Sequence, residues 1–228
     1  MENSLMAKIL AIETATDACS AALLIDGKRS ACYEIAPRQH TDLILPMISS
    51  LLDDAHLSVR DLDVIAYGAG PGSFTGVRVA TSITQGLALA HDIPVVPISC
   101  LEILAIGAAK AHNALTVATV VDARKAEIYW AIYEIAPDTQ RTTCLSPDTL
   151  CRPEDFAYPT DRDCIVVGSG CQLYRDRLVD CGVPIAMLRQ EPIYPKAIDA
   201  LESAQHALES DRTIAAEFAT PVYLRNAL

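Results

Sequence analysis

The sequence is poor in basic residues. Its 228 residues include 18 lysines and arginines against 29 aspartates and glutamates, which gives a formal net charge of −11. Affinity for nucleic acids comes mainly from lysine and arginine side chains that neutralise phosphates. We therefore expect no direct binding of RNA or DNA by this chain alone, although a partner could hold RNA beside it.

Long apolar runs and paired metal ligands are also missing. No segment approaches the roughly 18 uninterrupted apolar residues of a membrane span, and the first residues do not resemble a secretory signal. The eight cysteines form no C-x-x-C pair, and the five histidines form no H-E-x-x-H motif. These absences predict a cytoplasmic protein with reduced thiols and no metal site.

What the sequence does have is a globular composition, with 51% hydrophobic and 21% charged residues. A chain of this length fits one domain or two small lobes. Short apolar runs between turn residues predict an antiparallel meander of three strands, at residues 8–14, 19–26 and 30–35. Apolar positions at helical spacing then predict a helix from about residue 38 to residue 56.

The rest of the chain continues this alternation of strands and helices. A strand at 63–67 leads through a glycine-rich loop into a helix that ends near His91, and a strand at 93–98 precedes a helix at 100–112. The second half repeats the pattern in weaker form, with strands at 115–122, 127–135, 141–145 and 164–167 and helices at 173–181 and 197–209.

A repeated βββαβα order is the plan of the actin-like, ribonuclease-H-like superfamily. The predicted fold class is therefore α/β, with duplicated βββαβα lobes. We expect an N-terminal lobe at residues 1–112 and a degenerate C-terminal lobe at residues 113–228, whose last residues could return to the first lobe.

The loop Gly68–Gly76 (GAGPGSFTG) is the first candidate site. Glycines allow close backbone approach, and a helix N-terminus beside them can accept an anion. The loop lacks the Lys-[Ser/Thr] ending of a Walker A loop, and its glycine spacing is one residue longer than the Rossmann fingerprint. The loop could serve close packing, partner contact or nucleotide binding, and the sequence does not decide between these roles. The candidate residues for a nucleotide or partner site are Gly70, Pro71, Gly72, Ser73, Thr75, Gly76, Asp122 and Arg124.

Two helices indicate a partner surface. The first helix carries an apolar arc of roughly 200°, where a stripe of about 100° would serve one core contact. Leu45 and Leu52 lie on one flank of that arc. On the second helix, Ser82 and Gly86 belong to a run of small residues that allows another helix to approach closely. Burial of both helices within a two-lobed core is the alternative interpretation.

Four segments, in order along the chain, resemble the TsaB (YeaZ) family. They are Ile9–Leu23, Tyr67–Ser99, Val120–Tyr133 (VVDARKAEIYWAIY) and Pro221–Asn226 (PVYLRN). The resemblance extends over essentially the whole chain. TsaB-like proteins are required for threonylcarbamoyladenosine formation in tRNA. They are paralogues of TsaD, which transfers the threonylcarbamoyl group to an adenosine beside the anticodon.

The resemblance implies a scaffold subunit without catalytic residues. TsaD-like chains carry a metal-binding H-x-x-x-H pair after the glycine loop, and Cys100 and Leu104 stand at those positions here. Leucine cannot ligate a metal, and one cysteine is not a site. The resemblance therefore implies no metal and no cofactor of the chain's own, with ATP possible only at a subunit interface.

The resemblance also implies partners. These are a TsaD-like transferase subunit, a TsaE-like ATPase and a second copy of the chain in a homodimer, with tRNA contacted only through the complex. The alternative function is a stand-alone ATP-dependent phosphotransferase or peptidase of the same fold. The missing histidine pair argues against a metallopeptidase, and the absence of G-x-S-x-G gives serine hydrolysis little support.

Overall fold

The computed structural model describes residues 7–225. Within them the chain forms nine strands, six α-helices and short 3-10 helices. The strands are β1 (Ile9–Glu13), β2 (Ala18–Ile25), β3 (Lys28–Ile35), β4 (Val64–Gly70), β5 (Val95–Ser99), β6 (Thr116–Asp122), β7 (Ile128–Ile135), β8 (Thr142–Cys151) and β9 (Ile165–Val167). The α-helices are α1 (His40–Asp54), α2 (Phe74–Leu89), α3 (Cys100–His112), α4 (Ser169–Leu173), α5 (Arg175–Asp180) and α6 (Ala197–Glu209).

The chain divides into two compact units. The first unit contains residues 7–69, 73–98 and 196–221, and the second contains residues 70–72, 99–195 and 222–225. This division differs from the predicted boundary after residue 112. The helix α3 belongs to the second unit because it packs on β6 and β7, and α6 belongs to the first because it packs on β1 and β2.

The first unit is built on a five-stranded sheet in the order β3-β2-β1-β4-β5. The strands β1, β2 and β3 form the predicted antiparallel meander, and β1 pairs with β4 in parallel. Leu10 and Ile12 of β1 pack with Ile44 of α1 and Ala80 of α2 in one hydrophobic cluster. Because successive strand residues alternate in direction, the other face of β1 receives α6.

The second unit repeats this plan with fewer parts. Its sheet has the order β8-β7-β6-β9, with β6 parallel to β9 and antiparallel to β7. α3 covers one face, and α4 and α5 cover the other. The first unit has the helix α1 between its third and fourth strands, whereas the second unit has only the 3-10 helix Pro153–Asp155 between β8 and β9. The predicted actin-like, ribonuclease-H-like α/β fold with a degenerate second lobe is confirmed.

Helix boundaries agree with the sequence patterns at most places. The expected helices at residues 100–112 and 197–209 correspond to α3 and α6. The helix expected at residues 173–181 is wrong in detail, because Tyr174 leaves the helical conformation and separates α4 from α5. None of the described helices has both the length and the apolar character needed to cross a membrane.

The start of α3 generates a first prediction. The Ser99 hydroxyl accepts hydrogen bonds from the backbone N–H groups of Leu101 (3.1 Å) and Glu102 (3.4 Å). Ser99→Ala leaves these donors without that acceptor, and we expect a loss of about 1 kcal/mol in the free energy of unfolding. Urea denaturation measures it.

The matched control for Ser99→Ala is Ser49→Ala, because Ser49 is an exposed serine in the middle of α1. It should change stability by less than about 0.5 kcal/mol. Equal stabilities of the two variants would contradict the capping role of Ser99.

Candidate functional site

The glycine-rich loop ends β4 and begins α2. Gly70 has a φ of 109°, a left-handed conformation that favours glycine. Pro71 is buried, Gly72 is half-buried, and Thr75 is exposed at the start of the helix. Ser73 caps α2, since its hydroxyl accepts the N–H of Gly76 at 3.2 Å.

Gly76 packs against the turn between β1 and β2. The Thr14 hydroxyl donates to the carbonyl of Gly76 (2.7 Å), and the N–H of Ser73 donates to the carbonyl of Ala15 (2.7 Å). A Cβ added at Gly76 would collide with the Thr14 carbonyl oxygen and lie 3.1 Å from Ala15 Cα. Close packing within the first unit therefore explains the glycine at this position without a phosphate.

The acidic residue of the same turn also has a local role. Glu13 is fully buried, and its carboxylate accepts the N–H of Ala15 at 2.6 Å. Asp17 is exposed, and its backbone carbonyl accepts the N–H of Ala36. Both residues shape the turn between β1 and β2. Nucleotide binding by the loop residues Gly70 to Gly76 stays a prediction.

The turn between β6 and β7 carries the other candidate residues. Arg124, Lys125 and Ala126 are three consecutive non-glycine residues with left-handed φ angles of 64°, 55° and 58°. Such angles cost of order 1 kcal/mol or more per residue and persist only where the surroundings fix them. The conformation of the turn is therefore fixed by its contacts, both within the turn and with other parts of the second unit.

Asp122 supplies some of these contacts. Its carboxylate accepts the N–H of Arg124 (3.0 Å) and the hydroxyl of Tyr174 (2.9 Å), while its own N–H donates to the Ser169 hydroxyl (3.0 Å). The Arg124 guanidinium lies 3.4 Å from the same carboxylate, with its side chain 88% exposed. Asp122 and Arg124 thus contact each other, and their role in binding a nucleotide or a partner stays a prediction.

Arg225 also contacts this turn. Its guanidinium donates to the carbonyls of Ala123 (3.0 Å) and Arg124 (3.5 Å) and forms an ion pair with Glu127. The contact joins two of the segments that carried the family resemblance, Val120–Tyr133 and Pro221–Asn226, of which Asn226 lies outside the described residues. No feature of the sequence pairs residues that are 102 positions apart.

The positions that correspond to the histidine pair lie inside the protein. Cys100 and Leu104, one helical turn apart on α3, are 2% and 1% exposed. Leu104 belongs to the hydrophobic cluster between α3 and the second sheet. Among residues 7–225, no group of three or more histidine, cysteine, aspartate or glutamate side chains is arranged to hold a metal ion.

A polar cluster lies beside α3, and no sequence motif indicates it. The Tyr133 hydroxyl donates to the Asp148 carboxylate (3.0 Å), and the Thr142 hydroxyl donates to the Glu102 carboxylate (2.8 Å). Burial raises the pKa of Asp148, although hydrogen bonds from Ser99 and Tyr133 oppose this rise. Burial also raises the pKa of the Tyr133 hydroxyl. The cluster connects β7 and β8 to α3.

The predicted partner residues differ in exposure. Leu45 is 44% exposed on α1. Ser82 and Gly86 are exposed on α2, and a Cβ at Gly86 would meet no atom within 4 Å. Their role in partner binding stays a prediction. Two further exposed apolar residues on α2 were missed, Phe74 (65%) and Leu89 (52%).

The assignment of Leu52 to an exposed flank is wrong. Leu52 is only 5% exposed and belongs to the core of the first unit. After α1 the chain folds back over the last helical turn, where the N–H of Leu57 donates to the carbonyl of Leu52 and Leu62 joins the same cluster. A helical projection gives Leu45 and Leu52 similar angles but does not show which turn is covered.

Comparison with known proteins identifies the family. Residues 33–228 match the family model of TsaD, described as tRNA N6-adenosine threonylcarbamoyltransferase. The chain is 39% identical over 225 residues to an Escherichia coli protein named tRNA threonylcarbamoyladenosine biosynthesis protein TsaB, covering 96% of this chain and 95% of that protein. A Haemophilus influenzae protein of the same name is 37% identical, covering 96% and 93%. The chain belongs to the TsaB family.

Solved structures agree with this membership. YeaZ from Pseudomonas aeruginosa is 38% identical to this TsaB family member and superposes with a TM-score of 0.86, covering 96% of this chain and 100% of that chain. The resemblance that the sequence motifs indicated is therefore confirmed, and this chain shares its fold with that protein.

Gly76 provides a test of the packing that positions α2. Gly76→Ala places a methyl group against the backbone of Thr14 and Ala15, and we expect the free energy of unfolding to fall by about 2–3 kcal/mol. Gly86→Ala on the same helix meets open space and should stabilise the chain by up to about 1 kcal/mol. Urea denaturation of both variants tests the contrast, and similar midpoints would contradict it.

Arg225 provides a test of the strained turn. Arg225→Gln removes the ion pair with Glu127 and weakens the bonds to the carbonyls of the turn, a loss of about 1.5–3 kcal/mol. Because ~1.4 kcal/mol corresponds to a tenfold change in an equilibrium, we expect trypsin to cleave after Arg124 or Lys125 at least about tenfold faster. Mass spectrometry of the digest locates the cut.

The control for Arg225→Gln is Arg162→Gln. Arg162 also lies in the second unit, and its guanidinium pairs with the adjacent Asp161 at 2.8 Å, so its loss should leave the cleavage rate at residues 124 and 125 unchanged. An unchanged rate in the Arg225 variant as well would show that the turn is held by other contacts.

Proposed function

We propose that this TsaB family member is a non-catalytic scaffold subunit. It is required, with a TsaD-like transferase, for threonylcarbamoyladenosine modification of tRNA next to the anticodon. The observation that carries the proposal is the similarity, over 96% of the chain, to proteins named for threonylcarbamoyladenosine biosynthesis in two bacteria.

The interior of α3 supports the absence of catalysis. Cys100 and Leu104 stand where the TsaD resemblance expects two metal-binding histidines, and both are packed into the core. A leucine side chain has no atom that can ligate a metal, and a catalytic metal also needs an open coordination position for water or substrate. Activity at this place would therefore have to come from another polypeptide.

The exposed side of α1 and α2 supports a partner. We call it the helix face and define it by Leu45, Phe74, Ser82, Gly86 and Leu89. Its large apolar residues would lose exposed surface in a complex. Its small residues leave room for another helix at close distance, since Gly86 presents no side chain at all. The helix face is the surface that we assign to the TsaD-like subunit, and in its absence to a second copy of the chain.

The net negative charge of the chain supports a complex in which another subunit binds the tRNA. A net charge of −11 disfavours contact with tRNA phosphates, so the RNA would be held by the transferase and the chain would meet it only through the complex. A TsaE-like ATPase would join the same assembly. Any ATP would bind at a subunit interface, and the complex would act in the cytoplasm.

The helix face yields a mutational test. Leu45→Asp places a charge in the proposed interface, where burial of an unpaired carboxylate is unfavourable. We expect co-purification with the TsaD-like partner to fall at least about tenfold, a change of ~1.4 kcal/mol. Leu115→Asp is the matched control, since Leu115 is an equally large leucine, 58% exposed, in the second unit.

Both variants should unfold at nearly the urea concentration of the wild type, because the two leucines are exposed. Leu52→Asp, in contrast, should unfold the first unit because Leu52 is buried. Full association of the Leu45 variant would show that the partner binds elsewhere.

The function itself is tested by nucleoside analysis. Depletion of this protein should remove threonylcarbamoyladenosine from tRNA, and the purified chain with substrates alone should neither modify tRNA nor turn over ATP. Addition of the transferase subunit, the ATPase and a source of threonylcarbamoyl-adenylate should restore modification. Turnover of ATP by the isolated chain at enzymatic rates would instead favour the phosphotransferase alternative.

A further inference from the structure

The strand β3 forms an exposed edge of the first sheet. Within the part of the chain that the structure describes, β3 pairs only with β2 and stands at the end of the strand order. Seven of its eight residues are exposed, and Cys32 is half-buried. An edge strand of this length presents a row of backbone N–H and C=O groups that another strand can pair with.

The hairpin geometry determines which residues present these groups. Asp26 and Gly27 connect β2 to β3 with φ angles of 50° and 76°, which is typical of a two-residue type I′ turn. The closing pair, Ile25 and Lys28, is then a hydrogen-bonded pair, and the bonds to β2 recur at every second residue. The N–H and C=O groups of Arg29, Ala31, Tyr33 and Ile35 consequently point outward.

The sequence of β3 is complementary to itself in one register. In a symmetric antiparallel pair of β3 strands within one continuous sheet, residues directly opposite each other share a sheet face. Pairing Ala31 with Ala31 of a second copy places such residues on the same sheet face. The outward N–H and C=O groups of the two strands then form the hydrogen bonds between them. It places Lys28 opposite Glu34 of the second copy, twice, and Arg29 opposite Tyr33.

The neighbouring register is less favourable. Centring the pair on Cys32 would place Glu34 opposite Ser30 and Arg29 opposite Ile35, so both ion pairs would be lost. Within residues 7–225, neither Lys28 nor Glu34 has an ion-pair partner, so both charges are available to a second copy. Opposite charges that face each other across two strands favour pairing, and charge complementarity mainly fixes the register.

The residues that usually prevent an edge strand from pairing with another strand occur only at the ends of β3. Lys28 and Arg29 stand at its start, and Pro37 follows its end. The central residues from Ser30 to Tyr33 carry neither a charge nor a proline, the two devices that commonly block edge pairing. The centre of the strand therefore remains open to pairing at the place where the symmetric register needs it.

We propose that β3 is a docking surface for a second copy of this chain, which pairs β3 with β3 in antiparallel orientation, Ala31 opposite Ala31. The contact is one strand wide and small beside the ~1,600 Å² of a standard interface. We therefore expect concentration-dependent association rather than a permanent dimer. It shares no residue with the helix face, so separate variants can test self-pairing and transferase binding.

The backbone test uses Ala31→Pro in a chain that also carries Leu45→Asp, which suppresses association through the helix face. Proline removes the outward N–H of residue 31, and proline is tolerated on edge strands. Sedimentation velocity over a concentration series should show a dissociation constant at least about tenfold weaker than for Leu45→Asp alone. Ala31→Val keeps the N–H and should retain association.

The charge test does not depend on whether the proline variant folds. Lys28→Glu and Glu34→Lys should each weaken self-association, since each places like charges opposite one another. The double variant Lys28→Glu with Glu34→Lys should restore it. Wild-type association in both single variants, or failure of the double variant to recover, would overturn the proposed register.

A disulfide test reports the register directly. In the proposed pair, position 30 faces Cys32 of the second copy in a non-hydrogen-bonded pair, with Cα atoms about 4.5 Å apart, within the range of a disulfide. With oxidised glutathione as the oxidant, Ser30→Cys should give a dimer linked between positions 30 and 32. Cys32→Ser in that background should abolish the link.

Other outcomes overturn the proposal. A link between two Cys32 residues in the wild type indicates the neighbouring register. A monomer at all concentrations, with no link, shows that the edge does not self-pair. Loss of transferase binding in the single variant Ala31→Pro, while Ala31→Pro with Leu45→Asp self-associates as well as Leu45→Asp alone, assigns β3 to an extended segment of the partner. None of these results depends on tRNA modification, so the proposed function is tested separately.

Discussion

The contact between Gly76 and the β1–β2 turn is the constraint on which the first unit depends. Only a residue without a Cβ fits against the backbone of Thr14 and Ala15, and the Thr14 hydroxyl donates a hydrogen bond to the carbonyl of Gly76. The contact sets where α2 begins on the sheet. Because α2 carries four of the five residues of the helix face, the surface assigned to the transferase follows from it.

Much of the fold could be predicted because the strands and helices follow simple periods. The meander β1–β3, the helices α3 and α6 and the degenerate second lobe were all evident from apolar spacing and turn residues. Leu52 was misassigned because a helical projection does not include the chain that returns over the end of α1. The placement of α3 in the second unit depends on which sheet its apolar side meets, which no local pattern specifies.

The candidate site was only partly predictable, for a related reason. Asp122 and Arg124 are adjacent in sequence, and their contact follows from one turn. The left-handed conformation of residues 124–126 is unfavourable locally and exists because Arg225 and Tyr174 reach the turn from distant parts of the chain. Side chains that stabilise a strained turn from such distances become visible only in three dimensions.

The division of the units along the chain has a consequence for biosynthesis. The first unit opens at residue 7 but is completed only by residues 196–221, because α6 covers the second face of β1 and β2. While the ribosome is still translating the second unit, that apolar sheet face has no covering helix. The nascent polypeptide therefore emerges with its N-terminal sheet half covered, which is the stage at which a chaperone would protect it.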